Sequence, residues 1–342
     1  MRRFVFPALL VAVCLVVTAA FTEVAVRLVA DDGMQFDLEM WKYARDVKVV
    51  SPDPLIGHEH GPNRKARLMG AEVETNSKGQ RDREIPYERM LGVLRVAMVG
   101  DSLTEGWGVP FESTFSKRIE RLYEKAGTKA EVINLGVGNW NTVQEVQHFL
   151  TKGYKYSPDI VVLNYFVNDA EPTPERRRPP SLLLQYCYSC VFFKGRLDTV
   201  LRQLTRRQDW AEFYLGLYDG GKSKGWLDAK AAIKRLADYC KQSNIKLLIA
   251  HLPELHDVQN YRFGVVTELV RQAAQENSTA FVDLLPNLQF QASSDLWVTP
   301  PDPHPNAFAN ELIAAGLFSA LQKLSGSVGT GKQGVSFPVT VR

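Results

Sequence analysis

From residue 95 onward, short apolar runs alternate with amphipathic stretches. Residues 95–100 (RVAMVG), 130–134 (AEVIN) and 160–165 (IVVLNY) read as strands, and the third is apolar enough to be buried on both faces of a sheet. Residues 245–252 (IKLLIAHL) and 279–282 (TAFV) continue the series. Between and after them lie helical patterns at 115–125, 142–153 and 310–324. Short strands alternating with helices predict a three-layer α/β/α domain built on a parallel sheet. A sheet of this kind binds ligands at the carboxyl ends of its strands, so candidate chemistry is sought there.

The alternation fails in three places. Residues 4–21 are almost wholly apolar and uncharged after Arg2 and Arg3, and residues 22–30 (TEVAVRLVA) keep a helical apolar pattern. A run of this length is near the lower limit for crossing a bilayer. It predicts an N-terminal transmembrane helix over residues 1–30; a signal cleaved after the small residues Ala19-Ala20 and a buried core helix are the alternatives. The two arginines favour a cytoplasmic N-terminus, which puts the rest of the chain on the periplasmic or extracellular side of the inner membrane. Residues 31–92 read as an irregular lead-in that lays a strand or two against the main domain. Between about 171 and 230 a helical insertion, with Arg176, Arg177 and Arg178 near its start, interrupts the domain spanning 93–324. It is either a cap over the strand ends or a decoration. Residues 325–342 read as a flexible tail.

Composition narrows the function classes. A net charge of +3 over 342 residues, with no basic stripe interleaved with aromatics, excludes a dedicated nucleic-acid binder. Cys187-Tyr-Ser-Cys190 has CxxC spacing, but no second Cys/His pair stands at metal spacing. Outside the cytoplasm, a disulfide between two of Cys187, Cys190 and Cys240 and buried free thiols both remain open. Cys14 lacks the setting of a lipidation site.

Four strand ends carry polar residues that make sense together. Gly100-Asp101-Ser102-Leu103 puts a serine just past a buried strand, where its hydroxyl is exposed and its N–H can face a developing oxyanion. Residues 134–142 (NLGVGNWNT) hold Gly136, Gly138 and Asn139, all able to take a positive φ and turn backbone N–H groups inward. Asn168-Asp169 follows the third strand, and its carboxamide can donate to the same oxyanion. Asp302-Pro303-His304-Pro305-Asn306 lies in a proline-rich loop before the last helix. It offers the base and orienting carboxylate that a serine nucleophile needs.

The blocks Gly-Asp-Ser-Leu, Asn-Leu-Gly-Val-Gly, Asn-Asp and Asp-x-His-Pro-Asn, in this order, resemble the SGNH (GDSL) hydrolase superfamily, here of a membrane-anchored bacterial type, over roughly residues 93–324. The resemblance implies a flavodoxin-like fold and a GDSL-type serine hydrolase acting on ester bonds. It also implies that Ser102 is the nucleophile, His304 the base and Asp302 its orienter. The oxyanion hole would then be formed by the Ser102 N–H, a backbone N–H from Gly138 or Asn139, and the Asn168 side chain. Two departures stand out: Asp302 precedes His304 by two positions where three is usual, and Asn139 occupies a position where glycine is expected. The expected substrate is an ester-bearing small molecule or polysaccharide, carbohydrate or lipid, and no metal or organic cofactor is called for. O-acetyl transfer onto an envelope polysaccharide and a non-catalytic envelope-assembly role are the alternatives.

Overall fold

The computed structural model describes residues 2–173, 185–205, 210–300 and 302–326. The chain opens with α1 (Arg2–Val29), in which Val5–Val29 is long and apolar enough to cross a membrane. At 1.5 Å per residue those 25 residues reach about 37 Å, more than the roughly 30 Å of bilayer hydrocarbon. Most of the helix is bare. Its end is not: Val26 and Ala30 pack against Leu38, Trp41, Tyr188, Val191 and Phe192.

The lead-in is more ordered than its sequence pattern suggests. It holds α2 (Phe36–Asp46) and two antiparallel pairs, β1 (Lys48–Val50) with β2 (His58–His60) and β3 (Lys65–Leu68) with β4 (Ala71–Glu74). These strands are only three or four residues long, too short to leave a periodic signature.

The strands expected from the apolar runs form one parallel sheet: β5 (Leu94–Val99), β6 (Ala130–Asn134), β7 (Ile160–Tyr165), β8 (Lys246–His251) and β9 (Ala280–Asp283), in the order β6-β5-β7-β8-β9. The helices that follow in the chain are α3 (Ser102–Glu105), α4 (Phe115–Lys125), α5 (Thr142–Thr151), α6 (Tyr188–Thr205), α7 (Trp210–Gly216), α8 (Lys224–Gln242), α9 (Gly264–Glu276) and α10 (Ala307–Gly326). Alternation along β5 separates the two layers. Val96 and Met98 face Phe115 and Ile119 of α4 and Ile313 and Leu317 of α10. Ala97 and Val99 face Phe149 of α5, Ile233 of α8 and Val270 of α9. Each Val, Leu or Phe side chain buried in this way contributes about 1.5–3 kcal/mol before entropy is charged against it. The fold is therefore a flavodoxin-like α/β/α sandwich. In this strand order the chain winds in opposite directions from β5, which opens a crevice above its carboxyl end.

One further difference from expectation concerns a loop. The proline-rich stretch before α10 is a small hairpin, β10 (Trp297–Thr299) with β11 (Asp302–Pro305), in which Trp297 opposes Pro305. Its strands carry two prolines, and that composition hides them from a propensity reading. In the insertion Cys187 and Cys190 are joined as a disulfide, and Cys240 is a buried free thiol. The insertion divides its contacts: α6 packs on α1 and α2, whereas Tyr214 of α7 reaches the crevice. Arg176, Arg177 and Arg178 lie outside the described residues.

Candidate active site

Ser102 begins α3 directly after β5, with Asp101 as N-cap accepting the Leu103 N–H at 2.9 Å. Gly100 is required here by close approach and not by φ, because a Cβ would fall 2.1 Å from Thr104 Oγ1. The turn is thus tight enough to present Ser102 at the crevice floor. Ser102 Oγ lies 2.9 Å from His304 Nε2, and His304 Nδ1 lies 2.5 Å from Asp302 Oδ1. The His304 backbone N–H also donates to Asp302 Oδ1, at 3.2 Å, which closes the two-residue spacing into a compact loop. The other carboxylate oxygen of Asp302 accepts the Trp107 indole N–H at 2.8 Å.

Electrostatics favour a charged imidazole. Burial alone would lower the His304 pKa, but the hydrogen bond and charge of Asp302, with Asp101 and Glu105 behind it, outweigh burial and raise it above 6.5. Asp302 is held below the usual carboxylate range. Burial pushes it up, yet its bond to His304, the imidazole charge and the Trp107 indole more than compensate. Asn168 faces the same point from the turn after β7, its Nδ2 3.3 Å from Asp101 Oδ2. Beneath it, Glu145 and Asp169 are buried, and burial raises both well above their usual values, with the charges of Asp169 and Asp101 adding to it for Glu145 and that of Asp101 for Asp169.

The loop between β6 and α5 resolves the glycine question in part. Among Gly136, Gly138 and Asn139, Asn139 takes the positive φ, at 65°. The glycines are needed for space: a Cβ on Gly136 would meet Glu105 N at 2.3 Å, and one on Gly138 would meet the Tyr43 ring at 2.8 Å. The Gly138 N–H donates to Tyr43 Oη at 2.9 Å, while the Gly138 carbonyl accepts from Lys48 Nζ at 2.7 Å and His58 Nε2 at 3.1 Å. Lys48 Nζ also holds Asn139 Oδ1 at 2.8 Å. Tyr43 Oη in turn contacts His60 Nε2 at 2.6 Å; burial keeps His60 well below its usual pKa, so its neutral ring accepts the phenol proton. Burial lowers Lys48 to about 7 against the pull of Glu105, and burial and the Lys48 charge lower His58 to about 4. The Asn139 N–H has no protein acceptor among the described residues. The loop ends in a capping box, with Asn141 Oδ1 accepting the Gln144 N–H at 3.1 Å and Gln144 Oε1 accepting the Asn141 N–H at 3.2 Å.

Ser102, Asn139, Asn168 and His304 line one cavity of about 450 Å³, together with Gly138, Asp302, Tyr214 and His256. The four strand-end blocks found in the sequence therefore meet at one point. Tyr43, Lys48, His58, His60 and Trp107 were not found there. Their partners are 80 or more residues away except for the Tyr43–His60 pair, and a Tyr in a short helix or a His in a short strand has no local mark of a functional role.

Residues 98–312 match the family model described as the GDSL-like Lipase/Acylhydrolase family, well over half of the chain. The chain belongs to that family. This GDSL-like protein is accordingly a serine hydrolase acting on ester bonds. No curated protein matches its sequence. Among solved structures it is similar to TesA, at 12% identity over 67% of this chain and 99% of that one, with a TM-score of 0.45. It is also similar to the psychrotrophic esterase EstA from Pseudoalteromonas sp. (13%, 67% and 97%, 0.43) and to the acetyl xylan esterase AlAXEase (16%, 67% and 100%, 0.42).

Proposed function

We propose that the protein is a membrane-anchored, extracytoplasmic esterase in which Ser102 is the nucleophile, His304 the general base and Asp302 its orienting partner. The observation that carries this reading is the unbroken relay from Ser102 Oγ through the His304 ring to Asp302, at 2.9 and 2.5 Å. His304 Nε2 takes the serine proton as Oγ attacks the ester carbonyl. The negative oxygen that forms is met by the Ser102 N–H, the Asn139 N–H and the Asn168 carboxamide. Asn139 is chosen over Gly138 because the Gly138 N–H is already spent on Tyr43. His304 then returns the proton to the departing alcohol, and water repeats the cycle on the acyl-enzyme. If a sugar hydroxyl replaces that water, the same steps make the protein an O-acetyltransferase.

Anchoring rests on α1. Val5–Val29 is long and apolar enough to span a bilayer, and its far end is tied to the folded domain, where Glu23 accepts the Tyr188 and Ser189 N–H groups at 3.0 and 2.8 Å and so caps α6. With Arg2 and Arg3 inside, the sheet domain lies outside the cytoplasm. The test is p-nitrophenyl acetate hydrolysis by the full chain in detergent micelles, beside Ser102→Ala, with fluorophosphonate labelling of both. Turnover and labelling that vanish in the variant are expected. Activity that survives Ser102→Ala, or a wild-type protein that neither turns over nor labels, would overturn the assignment.

A further inference from the structure

One His–carboxylate pair in the cleft is not used by the relay. Glu254 and His256 follow β8, and the His256 Nδ1 and Glu254 Oε1 atoms are hydrogen-bonded. Glu254 Oε2 accepts the His256 backbone N–H at 2.9 Å, and the Glu254 N–H donates to Tyr261 Oη at 3.3 Å. Two tryptophans fix the ring: Trp210 stacks on it at 4.2 Å and 27°, and Trp297 meets it edge-on at 5.7 Å and 62°. Glu254 is 5% exposed, whereas the His256 side chain is 38% exposed and lines the Ser102 cavity. With Nδ1 bonded to the carboxylate, the ring's Nε2 is left over for a further hydrogen bond. Among the described residues nothing in the protein takes it up.

The pair also stands on a particular side of the cleft. Trp297 donates its indole N–H to Leu255 O at 2.8 Å and opposes Pro305, the residue after His304. The dyad therefore abuts the hairpin that carries the base, and the base is what protonates the leaving alcohol. We propose that Glu254–His256 is a subsite that binds a hydroxyl of the leaving alcohol, and that this alcohol is a sugar ring or a polyol of similar size. A sugar offers a second hydroxyl to His256 and apolar C–H groups to the aromatic lining from Tyr214 and Trp140. A simple alkanol would offer that ring nitrogen no partner, and sites built to bind a hydroxyl discriminate against analogues that lack one. This inference rests on ester cleavage at Ser102 and adds the alcohol half of the substrate.

The experiment uses the full chain in detergent micelles with three esters: a mono-O-acetylated methyl xyloside, ethyl acetate and p-nitrophenyl acetate. The wild type is expected to favour the acetylated xyloside over ethyl acetate by at least tenfold in kcat/KM. His256→Ala and Glu254→Gln should each lower kcat/KM for the xyloside at least tenfold more than for p-nitrophenyl acetate. Equal losses on all three esters in both variants, or a wild type without the preference, would overturn the subsite. A second arm titrates methyl xyloside into Ser102→Ala by calorimetry, where binding is expected and should vanish on adding His256→Ala. Binding of that kind in a protein that cleaves no ester would refute the esterase reading while supporting the sugar subsite. Absence of binding together with unshifted ester preferences would refute the subsite alone.

Discussion

Tyr43→Phe tests whether the lead-in segment is part of the catalytic apparatus. The substitution deletes one oxygen from a side chain with no exposed surface and leaves its ring contact with Trp107, at 5.4 Å, in place. That oxygen accepts the Gly138 N–H at 2.9 Å and meets His60 Nε2 at 2.6 Å, so both polar groups lose a partner inside the protein. A buried donor left unsatisfied costs about 1–3 kcal/mol. The Gly138 carbonyl stays pinned by Lys48 and His58, so the loop should rotate about that point and not collapse. Complete loss of an oxyanion donor costs about 100- to 1000-fold in kcat, and a donor that is displaced and not removed should cost less. We expect kcat for p-nitrophenyl acetate to fall about 10- to 100-fold, equivalent to about 1.4–2.7 kcal/mol, with KM changed less than threefold. Thermal denaturation should show a Tm a few degrees lower and a single transition. A folded Tyr43→Phe protein with kcat within twofold of the wild type would refute the coupling between Tyr43, Gly138 and the Asn139 N–H.

Other expectations follow from the same geometry. The acid limb of kcat/KM should titrate above pH 6.5, because the proposed base His304 can act only when neutral and its pKa is raised. In Asp302→Asn the two largest causes that raise His304 disappear, so that limb should move to lower pH while kcat falls by about 10⁴, the loss expected when a base is held in the wrong tautomer; an unmoved limb in a pH-rate series would contradict this. Gly138→Ala should cost about 1–3 kcal/mol of stability in a denaturant titration, since its Cβ would lie 2.8 Å from the Tyr43 ring. Glu23→Ala removes the cap from α6 at a cost of about 0.5–2 kcal/mol, and limited trypsin digestion should cut residues 185–205 faster; an unchanged rate would detach α1 from the fold.

Much of this was legible from periodicity. The run IVVLNY matches β7 residue for residue, and AEVIN matches β6, because each is a short, mostly buried run. Ser102, Asn168 and His304 were legible for a related reason: each follows a recognisable element and is polar where the sheet opens. The lead-in was not legible. Tyr43, Lys48 and His58 work through partners 80 to 95 residues on, and β1 and β2 are three residues each, below the length at which alternation shows. Trp107 hides for another reason. A tryptophan after GDSL reads as core, and it is core, yet its one polar atom holds Asp302 from 195 residues away. Asn139 lay between the two cases: its tolerance of a positive φ was predictable, but what set it apart from Gly138 was the phenol occupying its neighbour's N–H.

The crowd of acids around Ser102 poses a problem that the fold answers with burial. Asp101, Glu105, Glu145 and Asp169 all lie near a point where negative charge must form on oxygen, and four carboxylates there would oppose the reaction. Burial raises all four, and the neighbouring carboxylates raise Glu145 and Asp169 further (Asp169 and Asp101 for the first, Asp101 for the second), so a proton stays on that pair. Three oxygens of the pair lack a donor among the described residues, and a retained proton lets one carboxyl donate to the other. The charge below Asn168 is thereby reduced, while Asp302, held low by His304 and Trp107, keeps its charge where the imidazolium forms. A single patch of acidic residues thus serves two opposite requirements. The separation lies between Asp302, which meets the imidazole, and the Glu145–Asp169 pair, which meets no cation among the described residues.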